Sequence, residues 1–246
     1  SSDGSLDRLL SCVDDPRIRI FRNSANLGVT ARLNQGIELA RGQFFARMDQ
    51  DDICYPERFA KQVDALLKDP SVDLVSVGTI LISPEGKSLG YYPLRMSHTQ
   101  ITARPWHAFY LPHPTWMGRA DWFKRYRYTT CLCEDQGMLL RSYQESKFTC
   151  SPDILFAYRL RDTFNFPIIF RTRISCLLQQ LKLFWQKGFY FYISLSIMAF
   201  CGKVIRDLFH SKILGQSPIL FSRKTRLRDD DHQEWCRIAD LIGGPK

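Results

Sequence analysis

Three carboxylates crowd into four residues of the stretch FFARMDQDDICYPER, residues 44–58: Asp49, Asp51 and Asp52. Carboxylates held this close repel one another, and a divalent cation bound between them offsets the repulsion. The same residues also suit an acidic turn that feeds a helix N-terminus and is stabilised by the helix dipole. A second acidic pair, Glu134 and Asp135, opens CEDQGMLLRSYQ (133–144). A carboxylate there can take a proton as a general base, or both can be first-turn acids favoured by the dipole. His113 lies in HAFYLPHPTWMGRADWF (107–123). It either faces a metal or acceptor, or is a satisfied loop histidine.

The elements around these residues follow from spacing. IRIFR (18–22) reads as a short strand and NSANLG (23–28) as a loop. Val29, Leu33, Ile37 and Ala40 recur at helical spacing up to Arg41, with Gly42 beyond. QFFARM (43–48) is a strand that ends against Asp49, and Pro56 suits the first residue of a helix whose inner face is Phe59, Val63, Leu66 and Leu67. VDLVSVGTILI (72–82) is a long β-branched strand and SPEG (83–86) a turn. Alternating strands and helices over 18–82 predict βαβ units and a mostly parallel, Rossmann-like α/β sheet flanked by helices. Ligands bind such sheets at the carboxyl ends of the strands, where the Asp49–Asp52 group falls.

Further on, 107–123 reads as a loop running into a short helix, 133–144 as a helix and 147–162 as extended chain. From Thr172 the pattern turns helical through Leu177, Leu178, Leu181 and Phe184. GFYFYISLSIMAFC (188–201) carries no charge but is shorter than the ~20 residues of a spanning helix, so a buried or interfacial helix is expected. SRKTRLRDDDHQEW (222–235) reads as a charged, exposed end.

The bulk numbers narrow the function classes. The 246 residues suffice for one sizeable α/β domain with an appendage, divided here as 1–161 and a helical, basic extension, 162–246. The net charge of +9 is uneven: residues 151–246 carry 15 Lys and Arg against 8 Asp and Glu, an excess of +7. A basic, aromatic-rich tail suits an anionic membrane surface, or is simply a solvated basic face. Nucleic acid is not an expected partner, because the presumed ligand edge is acidic. The eight cysteines have no zinc-site spacing and read as free thiols of a reducing cytosol, and no signal peptide is visible. The expected location is cytoplasmic, peripheral at the inner face of the cell membrane.

Several segments together resemble the inverting family 2 glycosyltransferases of the GT-A fold. SSDGSLD (1–7) is similar to the end of that family's Asp-Gly-Ser-x-Asp motif. NLGVTARLNQGIELARGQFFARMDQDD (26–52) resembles its Asn-x-Gly, Arg-x-Asn-x-Gly, Ala-x-Gly and Asp-x-Asp series, in order. YPERFAKQV (55–63), HPTWMGRADWF (113–123) and EDQGMLLR (134–141) resemble later motifs, with Met138 in place of a leucine. The resemblance implies a nucleoside-diphosphate sugar donor, a Mg2+ or Mn2+ ion, and a glycan or lipid-linked acceptor in cell-surface polysaccharide synthesis. It implies that Asp3 and Arg32 contact the nucleoside, and that Asp49 lies near the ribose or the metal. It further implies that Asp51 is the main metal ligand and Asp135 the catalytic base, with Asp52 structural and His113 and Glu134 on the acceptor or metal side. The family's opening strand, helix and second strand are reduced to a trace here, so an N-terminally incomplete domain is expected. The alternative is an inactive domain that binds a membrane or a partner.

Overall fold

The run LVSVGTILI is apolar on both faces, so it suits a strand covered on both sides. In the computed structural model, which describes residues 4–160, 165–209 and 227–242, it forms β3 (Leu74–Ile82), and every residue of it is buried. β6 (Phe148–Arg159) lies parallel along one edge of β3. The other edge is shared by β5 (Met117–Arg119) at the start of β3 and β4 (Ser88–Tyr91) at its end, both antiparallel. β1 (Phe44–Ala46) adds to β5, and β2 (Ile53–Cys54) to β6, again antiparallel. The order is β1-β5-β3-β6-β2.

The sheet is therefore mixed, where strand–helix alternation predicts a mostly parallel one. β1, β3 and β6 do share a direction, but β5 inserts between β1 and β3 running the other way. β5 is three residues long, too short for any periodicity to mark it. The strand expected at 18–22 is not one: Ile18 and Phe21 are half exposed, and no neighbour pairs with this segment among the described residues. A strand without a ladder partner has nowhere to place its backbone hydrogen bonds except water.

Helices α1 (Ser5–Cys12), α2 (Gly28–Leu39) and α3 (Arg58–Lys68) belong to the first half. α3 starts two residues after Pro56, and its inner face differs from the apolar stripe read from sequence. Arg58, Gln62 and Leu66 are buried, whereas Phe59 and Leu67 are exposed. The polar pair is tolerated because it is bonded. Arg58 Nε donates to Gln62 Oε1 at 2.9 Å, Arg58 Nη2 donates to the Arg47 carbonyl at 2.8 Å, and the guanidinium lies 4.9 Å from the Phe156 ring centre. Gln62 Nε2 in turn donates to the carbonyls of Val75 and Thr115. One buried side-chain chain thus ties α3 to β3 and to the segments flanking the acidic turn.

The middle of the chain supplies α4 (His98–Thr102), a 3-10 turn at His113–Thr115, α5 (Ala120–Arg125) and α6 (Glu134–Ser142). α7 (Phe166–Gln186) and α8 (Tyr190–Phe209) follow as a helical hairpin. α7 begins before Thr172 because Asn165 caps it, its side chain accepting from the Ile168 N–H at 3.2 Å. Gly188, at φ +72°, makes the turn between the two helices. Phe184, Phe189 and Tyr192 join the main core, which also holds Leu74, Trp116, Phe123, Met138 and Phe148. Gly137 on α6 lets α7 approach closely, since a Cβ there would overlap the Gln179 carboxamide. α9 (Asp229–Leu241) buries Trp235 and Ile238 on a second core with Ile80, Ile82 and Phe156, and Trp235 Nε1 donates to the Gly86 carbonyl. The end read as a charged, exposed stretch is therefore partly docked; residues 222–226 lie outside the described residues. Among the described residues no helix is long and apolar enough to cross a membrane.

Candidate active site

The acidic turn leaves the end of β1 and is fastened on several sides. The Arg47 N–H donates to the Trp116 carbonyl at 2.9 Å, while the Arg47 carbonyl is held by Arg58. At the far side Arg159, the last residue of β6, closes the turn. Its backbone N–H donates to Asp52 Oδ1 at 2.8 Å and its Nε to the Asp51 carbonyl at 2.9 Å. Its Nη1 reaches the Ser83 and Pro84 carbonyls, so the β3–β4 turn joins the same clamp.

Asp49, Asp51 and Asp52 each offer a carboxylate oxygen, and these atoms lie within 4.8 Å of one another. Their environments differ. Asp51 is exposed and makes no ion pair among the described residues. Asp49 is half-buried and accepts from Arg47 Nη2 at 2.6 Å. Asp52 is buried, and burial pushes its carboxyl up to about 7, helped by the charges of Asp51 and Asp49 and opposed by the Arg159 N–H. Its Oδ2 has no protein partner. A set of hard oxygen donors with one carboxylate open to solvent fits Mg2+ or Mn2+.

Arg47 links this turn to α6. Its side chain is only 7% exposed, and its Nε and Nη1 have no hydrogen-bond partner. Its charge reaches Glu134 and Asp135 on α6, and also His113 and Tyr128. Asp135 keeps some solvent-facing surface yet is surrounded by protein, and burial raises its pKa against the pull of Gln136 and Arg47. Glu134 is raised by burial and by the charges of Asp135 and Asp49. Gln136 fixes the start of α6 through paired bonds with the Phe109 backbone, at 2.9 and 3.2 Å. One buried guanidinium is thereby ion-paired with Asp49 and acts by its charge on Glu134 and Asp135, and Asp51 and Asp52 sit on the same turn as Asp49.

The remaining candidates separate. His113 Nε2 lies 2.7 Å from the Tyr128 hydroxyl and its ring is packed edge-on to Trp116. Burial, then Arg47, hold its pKa well below the usual value, so it is neutral. Tyr128 is in turn held by Asn34, which exchanges bonds with its backbone N–H and carbonyl. Arg32 donates to Gln35 at 2.9 Å and lines an open cleft with Arg17, Arg19 and Phe21. Asp3 lies outside the described residues. Arg47 and Tyr128 were not singled out in the sequence. An arginine inside the apolar run FFARM was the available signal for the first; Tyr128 carries no pattern.

Residues 1–127 match the sequence pattern of glycosyl transferase family 2, which is half of the chain. The chain belongs to this family. The matched region ends before α6, so Glu134 and Asp135 lie beyond it. An uncharacterized glycosyltransferase of Methanocaldococcus jannaschii is 27% identical over 156 residues, 62% of this chain and 54% of that protein. The amylovoran biosynthesis glycosyltransferase AmsE of Erwinia amylovora is 44% identical over 62 residues, 25% of this chain and 23% of that protein. The succinoglycan biosynthesis protein ExoO of Rhizobium meliloti is 33% identical over 84 residues, 33% of this chain and 23% of that protein. The matches span about half the length of the archaeal relative and about a quarter of the bacterial two. Among solved structures, the mannosyltransferase PcManGT of Pyrobaculum calidifontis, in complex with GDP-mannose and Mn2+, superposes at a TM-score of 0.54 and 12% identity. The superposition covers 98% of this chain and 74% of that one. This family 2 chain therefore has a GT-A-like fold, with its mixed sheet, flanking helices and helical C-terminal region.

Proposed function

We propose that the chain is a metal-dependent inverting glycosyltransferase. It moves a sugar from a nucleoside-diphosphate sugar to a glycan or lipid-linked acceptor in cell-surface polysaccharide synthesis. The observation that carries this reading is the pairing of two acidic groups across Arg47: a solvent-facing Asp-x-Asp turn at the end of β1, and Glu134–Asp135 at the start of α6. PcManGT holds GDP-mannose and Mn2+, and AmsE and ExoO serve polysaccharide synthesis; both facts agree with the proposal.

Asp51 and Asp49 would hold the ion, with Asp52 steadying the turn through Arg159. Bound there, Mg2+ or Mn2+ supplies Lewis-acid stabilisation of the charge that develops on the departing phosphate. Asp135 takes the proton from the attacking acceptor hydroxyl. Its burial makes the carboxylate a stronger base, while Arg47 favours the ionised form that the role requires. One base and direct attack on one face of the sugar invert the anomeric centre, as in inverting glycosidases. His113, neutral and tied to Tyr128, is assigned with Glu134 to the acceptor or metal side. Arg32, with Asp3, is assigned to the nucleoside.

The test is a panel of nucleoside-diphosphate sugars assayed for Mn2+-dependent transfer or hydrolysis. Turnover with at least one donor that vanishes with a chelator supports the proposal. The inactive-domain alternative is favoured by no turnover across the panel when donor binding is demonstrated.

The C-terminal helices are assigned to an anionic membrane surface at the cytoplasmic face. Phe191, Met198 and Ile205 recur every seventh residue on α8 and are 73%, 69% and 68% exposed. Trp185 and Tyr190 flank them, also exposed, and Lys187 lies at the turn. Apolar side chains beside aromatic and basic ones suit an acyl–headgroup boundary. Co-sedimentation with phosphatidylserine vesicles, weaker with Phe191→Ser, is expected. Failure to pellet at low salt, or concentration-dependent dimerisation lost in Phe191→Ser, contradicts it.

A further inference from the structure

Behind α6 lies a cavity of about 190 Å³ that the proposed mechanism does not use. Its walls are the 105–109 segment, the inner side of α6, and facing sides of α7 and α8. That volume is far above the ~15 Å³ that one water requires and below the roughly 300 Å³ of a whole drug-sized ligand. It suits one chemical group of a larger molecule.

The charge around it is one-sided. Lys203 and Arg173 line the cavity, and Lys203 Nζ donates to the His107 carbonyl at 2.6 Å. The His107 ring feels Lys203, Arg104, Arg206 and Arg173, all basic. Among the described residues Asp207 answers them; it is buried and paired with Arg173 and Arg206. Like charges this close cost free energy unless an anion enters. The Lys203 ammonium is pushed down to about 8, by burial first and then by Arg173, with Asp207 pulling the other way. Apolar surface from Phe109, Leu177 and Phe200 completes the lining.

The position matters as much as the charge. Gln136 lines the cavity and its Nε2 lies 3.4 Å from Asp135 Oδ2. The cavity wall is therefore one residue from the proposed base.

We propose that this cavity is an anion subsite, in which Lys203 and Arg173 bind a phosphate group carried on an apolar chain, holding a phosphorylated acceptor beside Asp135. The assignment of that phosphate to an acceptor rests on the transferase reading above; the anion site itself does not.

The test is calorimetric titration of the full chain in excess chelator, where a metal-dependent donor site is silent. Three probes are compared: geranyl phosphate, inorganic phosphate and geraniol. Geranyl phosphate is expected to bind, and Lys203→Met to weaken it about tenfold or more, the cost of one charge-assisted hydrogen bond. Lys203→Arg keeps most of the affinity. Ala199→Leu, which adds bulk to the cavity wall without touching a charge, weakens binding as well and serves if Lys203→Met does not fold. Tight geranyl phosphate with weak inorganic phosphate identifies a lipid-borne group; equal affinities identify the free anion. Equal binding of geranyl phosphate to wild type, Lys203→Met and Ala199→Leu, or no binding at all, overturns the subsite. Because the titration omits metal and donor, that failure leaves the transferase reading untouched, and loss of Mn2+-dependent turnover alone leaves the subsite untouched.

Discussion

Two charged regions of this chain are near mirror images. At the end of β1 and the start of α6, carboxylates outnumber the buried cations Arg47 and Arg58. Between the 105–109 segment and α7–α8, basic groups gather around one buried anion among the described residues, Asp207. Each region has an excess of one sign in a setting where charge is costly to leave unanswered. A protein can tolerate such an excess when a ligand of the opposite sign completes it. The acidic region then calls for a cation and the basic one for an anion. The two differ in anchoring: the acidic turn is held by backbone-directed bonds from Arg58 and Arg159, the basic cavity by ion pairs.

That contrast can be broken at either end. The largest effect is expected for Asp135→Asn, a loss of about 10²–10⁴ in turnover with donor binding preserved. Full turnover in that variant removes Asp135 as the base. Next, Asp207→Asn deprives Arg173 and Arg206 of their common partner and is expected to destabilise the fold by about 3 kcal/mol in urea unfolding. Arg58→Met, the matching lesion at the acidic region, leaves the Arg47 carbonyl and Gln62 without their buried donor. A loss of roughly 2 kcal/mol is expected, read the same way.

A pH effect distinguishes the basic region further. His107 in the folded chain is pushed down to about 4, by burial first and then by Lys203 and its arginine neighbours, against an unfolded value near 6.5. Between those two values the unfolded state binds more protons, so stability falls as pH falls through that window. His98 and His113 are shifted in the same direction. The raised carboxyls of Asp52, Glu134 and Asp135 act in the opposite sense, so the test is a difference: His107→Gln should lose less melting temperature than wild type, or gain more, between pH 6.5 and 4. An unchanged slope contradicts the burial of a neutral His107 among cations.

The sequence exposes these regions unequally. The acidic turn was legible because its residues are contiguous and follow an apolar run. β3, α2, α6 and β6 were legible for the same reason, since each carries its own periodicity or β-branched composition. The cavity was not, because Lys203, Arg173 and His107 come from three separate segments and share no local pattern. β5 is too short to carry a pattern, and the inner face of α3 is hidden because Arg58 and Gln62 look like surface residues until their partners are seen. The strand expected at 18–22 had suitable composition, but composition does not supply a neighbour to pair with.

The central claim is that Asp51 holds a divalent cation against a nucleotide's phosphates. It is tested most directly by thermal unfolding with and without a nucleoside diphosphate and Mn2+, on wild type and Asp51→Ala. Stabilisation is expected only when both ligands are present, by about 2.7 kcal/mol at a hundred times the dissociation constant, and is expected to vanish in Asp51→Ala. Equal melting temperatures in every wild-type condition, or full stabilisation retained by Asp51→Ala, contradict the account.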